Sequence, residues 1–507
     1  MSFEPYDDKK HPKSHPRPTQ SPKPPPNDER YAFHGPPVAL ESAYPPPPEA
    51  LPPPHLLPKL PSGQRKPIWA DDSRIPYTLT THIVPAAYWR DDPDVELPPV
   101  PQEGDSTTKE ERLKLAIEGE AQLRKIRAEL EAKAISQAKE GKRRSGKERV
   151  AWLVLNRYVR TVETQKPGLT LFCAHANGFN KETWEPTLAA LLSSTITQSL
   201  VQEVWAWDAI NHGDSAMLNA PNLKSLFHWR NATRDLVTFF THYLPTQVAP
   251  PGLLPTHILR ISQEETSKRM KYGFHDPTLG TKSRVIVGIG HSFGGCISTL
   301  TAISSPKSSI PSLNTNFYSL LILVDPVILS PHNGNFYPPG QGGHPLSVGA
   351  FSRRAVWPSR SAAKEAFLKS PFFQRWDPRV LDLYVEYGLY EDNEGQIRLK
   401  MPPLWEAINF SDTATGSVEA WIRLWRGELS AQDVGLKWVM PGVGQSNLGP
   451  FGPPETRERV WLRPSNVENV RMEGAGHLIP HEKPNEMGAL VARWIADSFG
   501  NASKAKL

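Results

Sequence analysis

From Arg149 onward, short apolar runs alternate with stretches of helix-forming residues. The runs are Val150 to Val159, Leu169 to Ala174, Val201 to Trp207, Val285 to Ile289, Leu320 to Val324, Leu436 to Met440 and Val470 to Met472. Brief β-branched runs, apolar on both faces, predict buried strands, and their alternation with helices predicts a mostly parallel, doubly wound α/β sheet covered on both sides. The stretch 331–430 breaks this rhythm. It carries Trp357, Trp376, Trp405, Trp421 and Trp425 among helix formers and predicts an inserted helical cap. Upstream, residues 107–141 lack proline, and Leu113, Ile117, Leu123, Ile126, Leu130 and Ile135 recur at roughly helical spacing. That pattern predicts one long amphipathic helix, its stripe docked on the rest of this chain rather than on a partner.

Composition changes the picture mainly at the start. About half of the 53 prolines lie before residue 102, in tracts such as Pro24-Pro25-Pro26, Pro45 to Pro48 and Pro52-Pro53-Pro54. Such a segment buries little apolar surface and is expected to be largely disordered, with some order near Trp69, Tyr77 and Trp89. A polyproline ligand for adaptor domains is the alternative use of it. The expected organisation is a Pro-rich arm (1–105), a charged amphipathic helix and linker (106–148), an α/β core (149–330 and 431–500) split by the cap (331–430), and a flexible tail (501–507).

A net charge of +5 over 507 residues is mild, and no nucleic-acid-binding motif accompanies the basic run near 139–149, so no nucleic-acid partner is expected. Two cysteines, Cys173 and Cys296, lie in apolar segments and make no disulfide framework or metal spacing. No metal or cofactor is expected. The N-terminus lacks a signal-peptide pattern, and no apolar run is long enough to span a bilayer.

The most informative stretch is Val285-Ile-Val-Gly-Ile-Gly-His-Ser-Phe-Gly294, a buried strand, a sharp turn, then a helix from Cys296. This is the G-x-S-x-G nucleophile elbow in its strand–turn–helix setting, with Ser292 at the apex. Gly290 and Gly294 allow strand and helix to approach closely. The helix N-terminus then aims free N–H groups at a developing oxyanion.

Such a serine needs a histidine late in the chain. Val470 to Pro484 supplies His477 after a strand and a Gly-Ala-Gly turn, and His481, beyond Pro480, is the lesser candidate. The acid commonly follows the strand that here is Leu436 to Met440, but residues 441–449 hold no carboxylate. The other geometric option is the end of the strand after the nucleophile helix, where Asp325 precedes Pro326, 33 residues past Ser292. Glu455 is the fallback. Phe293 N–H is the expected first oxyanion donor. The second comes from the loop His175-Ala-Asn-Gly-Phe-Asn180, where Asn177, Gly178 and Phe179 are candidates and Asn177 is the working choice. His175 braces this loop. Asp208, His212, Asp214 and Ser215, after another strand, read as structural loop residues rather than metal ligands.

Together, His175-Ala-Asn-Gly-Phe179, Gly290-His-Ser-Phe-Gly294, Leu323-Val-Asp-Pro326 and Gly474-Ala-Gly-His477 resemble the α/β-hydrolase superfamily over roughly residues 149–500. A narrower likeness is to fungal peroxisomal serine hydrolases, including the peroxisomal lipase, toxin-biosynthesis hydrolases and the acyl-CoA hydrolase of mycophenolic acid biosynthesis. That resemblance implies an acid after the strand that follows the nucleophile, which favours Asp325. The chain departs from these relatives by its long arm and an insertion around 243–282.

The last residues, Ala505-Lys506-Leu507, are similar to the Ser-Lys-Leu peroxisomal address and imply an import receptor as partner. The expectation is a peroxisomal serine hydrolase (esterase, lipase or acyl-CoA hydrolase) cleaving esters or thioesters of apolar acids with Ser292, His477 and Asp325. Arg353, Arg354 and Arg360 are candidates to meet coenzyme A phosphates. The alternative, from another class, is a catalytically inactive hydrolase-fold scaffold that works through its Pro-rich arm.

Overall fold

A computed structural model of the chain describes residues 8–26, 43–88, 90, 94–99, 108–139, 149–162, 168–307, 313–333, 344–445 and 453–500. Its centre is an eight-stranded sheet: β1 (Tyr77–Pro85), β2 (Trp152–Arg160), β3 (Leu169–Ala174), β4 (Val201–Asp208), β5 (Val285–His291), β6 (Tyr318–Val324), β7 (Gly435–Pro441) and β8 (Val467–Met472). The spatial order is β1-β2-β4-β3-β5-β6-β7-β8. β1 and β2 run antiparallel to their neighbours, and the pairs from β4 to β8 are parallel.

Successive side chains on a strand point to opposite faces, and β3 shows the consequence. Leu171 and Cys173 pack into one core cluster, Phe172 and Ala174 into the other. The first face is covered by Glu185–Leu192 and Pro484–Phe499, through Leu188, Leu191, Val491 and Trp494. The second is covered by Phe293–Ile303, Pro403–Ser411 and Thr413–Trp425, through Cys296, Ile297, Ile408 and Trp421. Trp421 and Trp494 are fully buried. Truncating either to alanine is expected to cost about 3–5 kcal/mol.

Within the Pro-rich arm, the order expected near Tyr77 takes a definite form. Tyr77–Pro85 is an edge strand, paired along its whole length with β2 from Tyr77 opposite Arg160 to Pro85 opposite Trp152. Its β-branched residues suit a pleated, half-buried surface, a signal masked by the surrounding prolines. The outer edge of β1 is partly covered, since Ile83 N donates to Thr256 O and Ile258 N to Ile83 O. Blunting an edge in this way prevents strand pairing with other chains. Residues 13–22 also make specific contacts, taken up in the Discussion. Trp89 lies outside the described residues.

The long helix, α1, spans Lys109–Lys139. Thr108 and Glu111 form a capping box at its start, Glu111 N donating to Thr108 Oγ1 (3.2 Å) and Thr108 N to Glu111 Oε2 (2.6 Å). The helix docks within the chain, using the later part of the stripe the spacing suggested: Leu123 is buried, and Ile126 and Leu130 pack against the core. Its buried side carries Ala116, Glu120, Leu123 and Arg127, whereas Leu113 and Ile117 are exposed. Arg127 reaches Ile408 O (2.7 Å), Ser411 Oγ (2.7 Å) and Asp412 Oδ1 (3.1 Å), so polar contacts fix the register as much as apolar ones.

Within the 331–430 stretch the five tryptophans divide. Trp357 and Trp376 pack with Phe367, Val380 and Tyr384 in a cluster of their own, which also takes in Ala176, Phe179 and Leu478. Trp405 and Trp421 belong to the core beneath the sheet. The cap also holds a small antiparallel sheet of Val356–Trp357, Leu389–Glu391 and Ile397–Leu399, which the helical reading did not foresee.

Candidate active site

The elbow forms because two glycines permit it. A Cβ on Gly290 would lie 2.6 Å from Gly294 O, and one on Gly294 only 2.3 Å from Ala174 O. Between them Ser292 is held at φ 55° and ψ −116°, a conformation L-residues rarely adopt. Backbone contacts fasten it: Ser292 N donates to Val324 O (3.0 Å) and Val327 N to Ser292 O (3.1 Å). The hydroxyl is thereby fixed above the C-terminal ends of β5 and β6.

Residues far apart in sequence meet there. Ser292 Oγ lies 2.9 Å from His477 Nε2, and His477 Nδ1 lies 2.7 Å from Asp325 Oδ2. The carboxylate fixes the tautomer: Nδ1–H donates to Asp325, so Nε2 is free to accept from the serine. His477 follows β8 on a turn in which Gly474 adopts φ 72°. His291 Nε2–H donates to His477 O (2.9 Å) and holds that turn against the elbow.

Asp325 is fully buried at the end of β6 with φ 32°, and Asp325 N donates to Val439 O (2.8 Å). Burial opposes its ionisation, but the Arg459 guanidinium and the bond to His477 together hold its carboxyl below the usual range. Glu455, the fallback, begins the helix α2 (Pro453–Val460) and is not the carboxylate hydrogen-bonded to His477. His481 is buried against Phe179 and Trp376 instead of Ser292, and burial pushes it down to about 3.

The loop after β3 offers the oxyanion donors. Gly178 N donates to His212 Nε2 (3.1 Å) and Phe179 N to Ala176 O (3.3 Å), so both are engaged. Asn177 N–H and Phe293 N–H have no acceptor among the described residues. Gly294 N donates to His175 O (3.1 Å), which ties this loop to the start of the helix after Ser292. His175 braces the loop as expected: Ala209 N donates to its Nε2 (3.1 Å), and its Nδ1 lies 2.8 Å from Ala176 O. Burial pushes it down to about 4, so it stays uncharged.

Beneath the loop is a buried ionic network whose lysines, Lys181 and Lys400, carried no sequence signal. Lys181 Nζ lies 2.7 Å from Asp208 Oδ2 and 2.9 Å from Asp214 Oδ2 and from Glu182 Oε1. Asp214 Oδ1 also meets Lys400 Nζ (2.6 Å) and Ser62 Oγ (2.8 Å). Arm, core and cap are thus joined at one carboxylate. Asp208 and Asp214 neutralise buried lysines, and Ser215 Oγ donates to Asp208 O (2.9 Å). These side chains make a structural loop, as their sequence setting suggested.

The cap closes over one side of the site. Phe179 lies against Trp376 and Tyr384, with ring centroids 5.2 and 5.9 Å apart. The arginines considered for phosphates have partners within the chain, Arg354 at an exposed position. Arg353 pairs with Glu406 and donates to Tyr384 OH (3.1 Å), Arg354 Nε donates to Val356 O (2.8 Å), and Arg360 donates to Val385 O (2.6 Å).

Residues 171–490 match the Alpha/beta hydrolase family. The type I acyl-CoA thioesterase mpaH of Penicillium roqueforti (strain FM164) is 25% identical over 390 residues, which cover 65% of this chain and 76% of that protein. The abhydrolase domain-containing protein ACTT2-1 of Alternaria alternata is 28% identical over 247 residues, covering 41% of this chain and 82% of its own length. Among solved structures, the peroxisomal alpha-beta-hydrolase Lpx1 of Saccharomyces cerevisiae shares the fold, with a TM-score of 0.53 at 17% identity, covering 83% of this chain and 89% of that one. The matched span runs from β3 through the elbow to the helix after His477, and on that ground the chain belongs to the alpha/beta hydrolase family.

Proposed function

We propose that the chain is a serine hydrolase that cleaves carboxylic ester or acyl-CoA thioester bonds of apolar acyl substrates, with Ser292, His477 and Asp325 as catalytic residues. The observation that carries this reading is the continuous relay from Ser292 Oγ to His477 Nε2 (2.9 Å) and from His477 Nδ1 to Asp325 Oδ2 (2.7 Å). Ser292 attacks the carbonyl carbon while its proton passes to His477 Nε2. Negative charge develops on the carbonyl oxygen, to which Asn177 N–H and Phe293 N–H donate. Collapse expels the alcohol or thiol, which takes the proton from His477. Water then enters by the same route and releases the acid. The aromatic wall of Phe179, Trp376 and Tyr384 supports an apolar acyl group. The thioesterase named among the relatives makes acyl-CoA the first substrate class to assay.

The test is labelling with an active-site-directed fluorophosphonate, followed by hydrolysis of acyl-CoA and p-nitrophenyl ester series. The wild-type protein is expected to label and Ser292→Ala is not. Absence of label on the folded wild-type protein would defeat the reading and favour a scaffold. For location, the C-terminal Ala505-Lys506-Leu507, outside the described residues, supports peroxisomal import. Removing Leu507 is expected to leave a tagged protein in the cytosol, and peroxisomal retention without it would refute the address.

A further inference from the structure

The acid of this site is gripped from a second side by a residue that the relay itself does not require. Arg459, buried on α2, donates from Nη2 to Asp325 Oδ1 (2.6 Å) and from Nη1 to Pro326 O (2.7 Å). Asp325 Oδ2 meanwhile receives His477 Nδ1–H. The two oxygens thus have separate partners, and the guanidinium fork ties the carboxylate to the main chain of the next residue. A rigid planar fork suits this hold, and a point-charge ammonium does not reproduce it. The helix carrying Arg459 follows β7, the strand whose end was first searched for the acid. There the chain places a cation that faces the acid at the end of β6.

We infer that Arg459 is a positioning residue of the catalytic carboxylate, fixing Asp325 so that Oδ2 alone faces His477. The inference rests on the reading of Ser292, His477 and Asp325 as the catalytic relay.

The physical reasoning has two parts. A fully buried carboxylate with one oxygen unpartnered is costly and free to turn about its Cβ–Cγ bond, and a turned carboxylate leaves the imidazole unoriented. Arg459 removes both problems. Its positive charge also opposes any further proton on the pair, whichever of the two groups holds it. The other titratable groups near His477 include His291, whose Nε2–H holds its carbonyl, His481 on the following turn, and Glu482, which pairs with Arg375 and accepts from Gly476 N (2.9 Å). Burial keeps both histidines well below the usual imidazole range, so neither adds charge near neutral pH. On α2, Arg457 turns to Pro16 O and Arg17 O.

The experiment compares Arg459→Met and Arg459→Lys in the full-length chain and in the Asp325→Asn background, reading kcat, KM and the pH profile of kcat/KM. Arg459→Met is expected to lower kcat about 10- to 100-fold, the usual cost of losing a residue that orients a reacting group, with KM little changed. Its ascending pH limb is expected to move up by roughly one unit as the cation is lost. Arg459→Lys is expected to keep the limb near its wild-type position and still lose kcat. In Asp325→Asn, either substitution is expected to cost less than about threefold, because residues acting as a unit are not additive. A folded Arg459→Met with the wild-type limb overturns the inference, as does an equal loss in both backgrounds. If Arg459→Met does not fold, Arg459→Lys decides: wild-type kcat, or an equal loss in both backgrounds, overturns it. Fluorophosphonate labelling separates this failure from that of the underlying reading. Label retained on Ser292→Ala sinks the relay itself. Label lost there, with an unmoved limb in Arg459→Met, sinks the role of Arg459 alone.

Discussion

The two ends of the relay are built in different ways. At the serine end, the residues that force the geometry lie within two positions of Ser292, where Gly290 and Gly294 let helix and strand meet. At the acid end, Asp325 is held by Arg459 and His477, 134 and 152 residues further along the chain. Both residues have positive φ, 55° at Ser292 and 32° at Asp325. At Ser292 the conformation follows from a local turn with its own glycine pattern. At Asp325 it is maintained by Val439 of the neighbouring strand, by a helix and by a distant turn, none of which leaves a mark beside Asp325 in the sequence. A geometry written by covalent neighbours can be read from a motif, whereas one imposed by tertiary contacts cannot.

The largest effect expected at the acid end comes from Asp325→Asn. The amide keeps the shape of the carboxylate but presents the imidazole with the wrong tautomer and no charge, so kcat is expected to fall about 10⁴-fold. The far-ultraviolet circular dichroism spectrum is expected to be unchanged. Glu455→Gln is expected to stay within about twofold of wild type in kcat, as a near-isosteric change outside the relay. The opposite pattern would move the acid onto α2 and break the contrast between the two ends.

Much of the fold was legible for the same reason as the elbow. The seven strands expected from apolar runs all occur, because a strand buried on both faces must be apolar along its length. The eighth, Tyr77–Pro85, was legible only as some order near Tyr77, because it alternates buried and exposed residues at its start and lies among prolines. In α1 the period was right and the face only partly so: Leu123, Ile126 and Leu130 pack on the core, but Leu113 and Ile117 are exposed, and Glu120 and Arg127 dock through polar groups that a hydrophobic stripe does not count. At the site, Ser292, His477 and Asp325 were named from their positions at strand ends, and the structure brings them within hydrogen-bonding distance. For the loop after β3, sequence left three donors open. The structure narrows them, since Gly178 and Phe179 have already spent their N–H groups. Arg459, Lys181 and Lys400 gave no signal, as buried cations resemble surface ones until their partners are known.

The smallest expected effect comes from the start of the chain, and it tests how far the non-local support of the acid extends. Residues 13–22 lie against β8 and α2. Arg471 N donates to Lys13 O (3.0 Å), and Asn469 exchanges hydrogen bonds with the His15 backbone (2.6 and 3.0 Å). Trp461 Nε1 donates to His15 O (2.9 Å), Arg457 Nε to Pro16 O (3.0 Å), and Trp425 Nε1 to Pro22 O (3.2 Å). Arg17 covers the Trp461 ring at 4.7 Å. An extended proline-rich segment suits this surface, because its carbonyls accept from indole and guanidinium donors while proline brings no N–H to satisfy. The segment braces the helix that carries Arg459. Deleting residues 1–26 is therefore expected to lower Tm by about 2–4 °C, as loss of roughly 1 kcal/mol does in a large domain. It is also expected to reduce kcat severalfold with KM unchanged, in the direction of the Arg459 variants. If Tm falls while kcat holds, the segment only covers the open edge of β8, and the support of the carboxylate ends at Arg459.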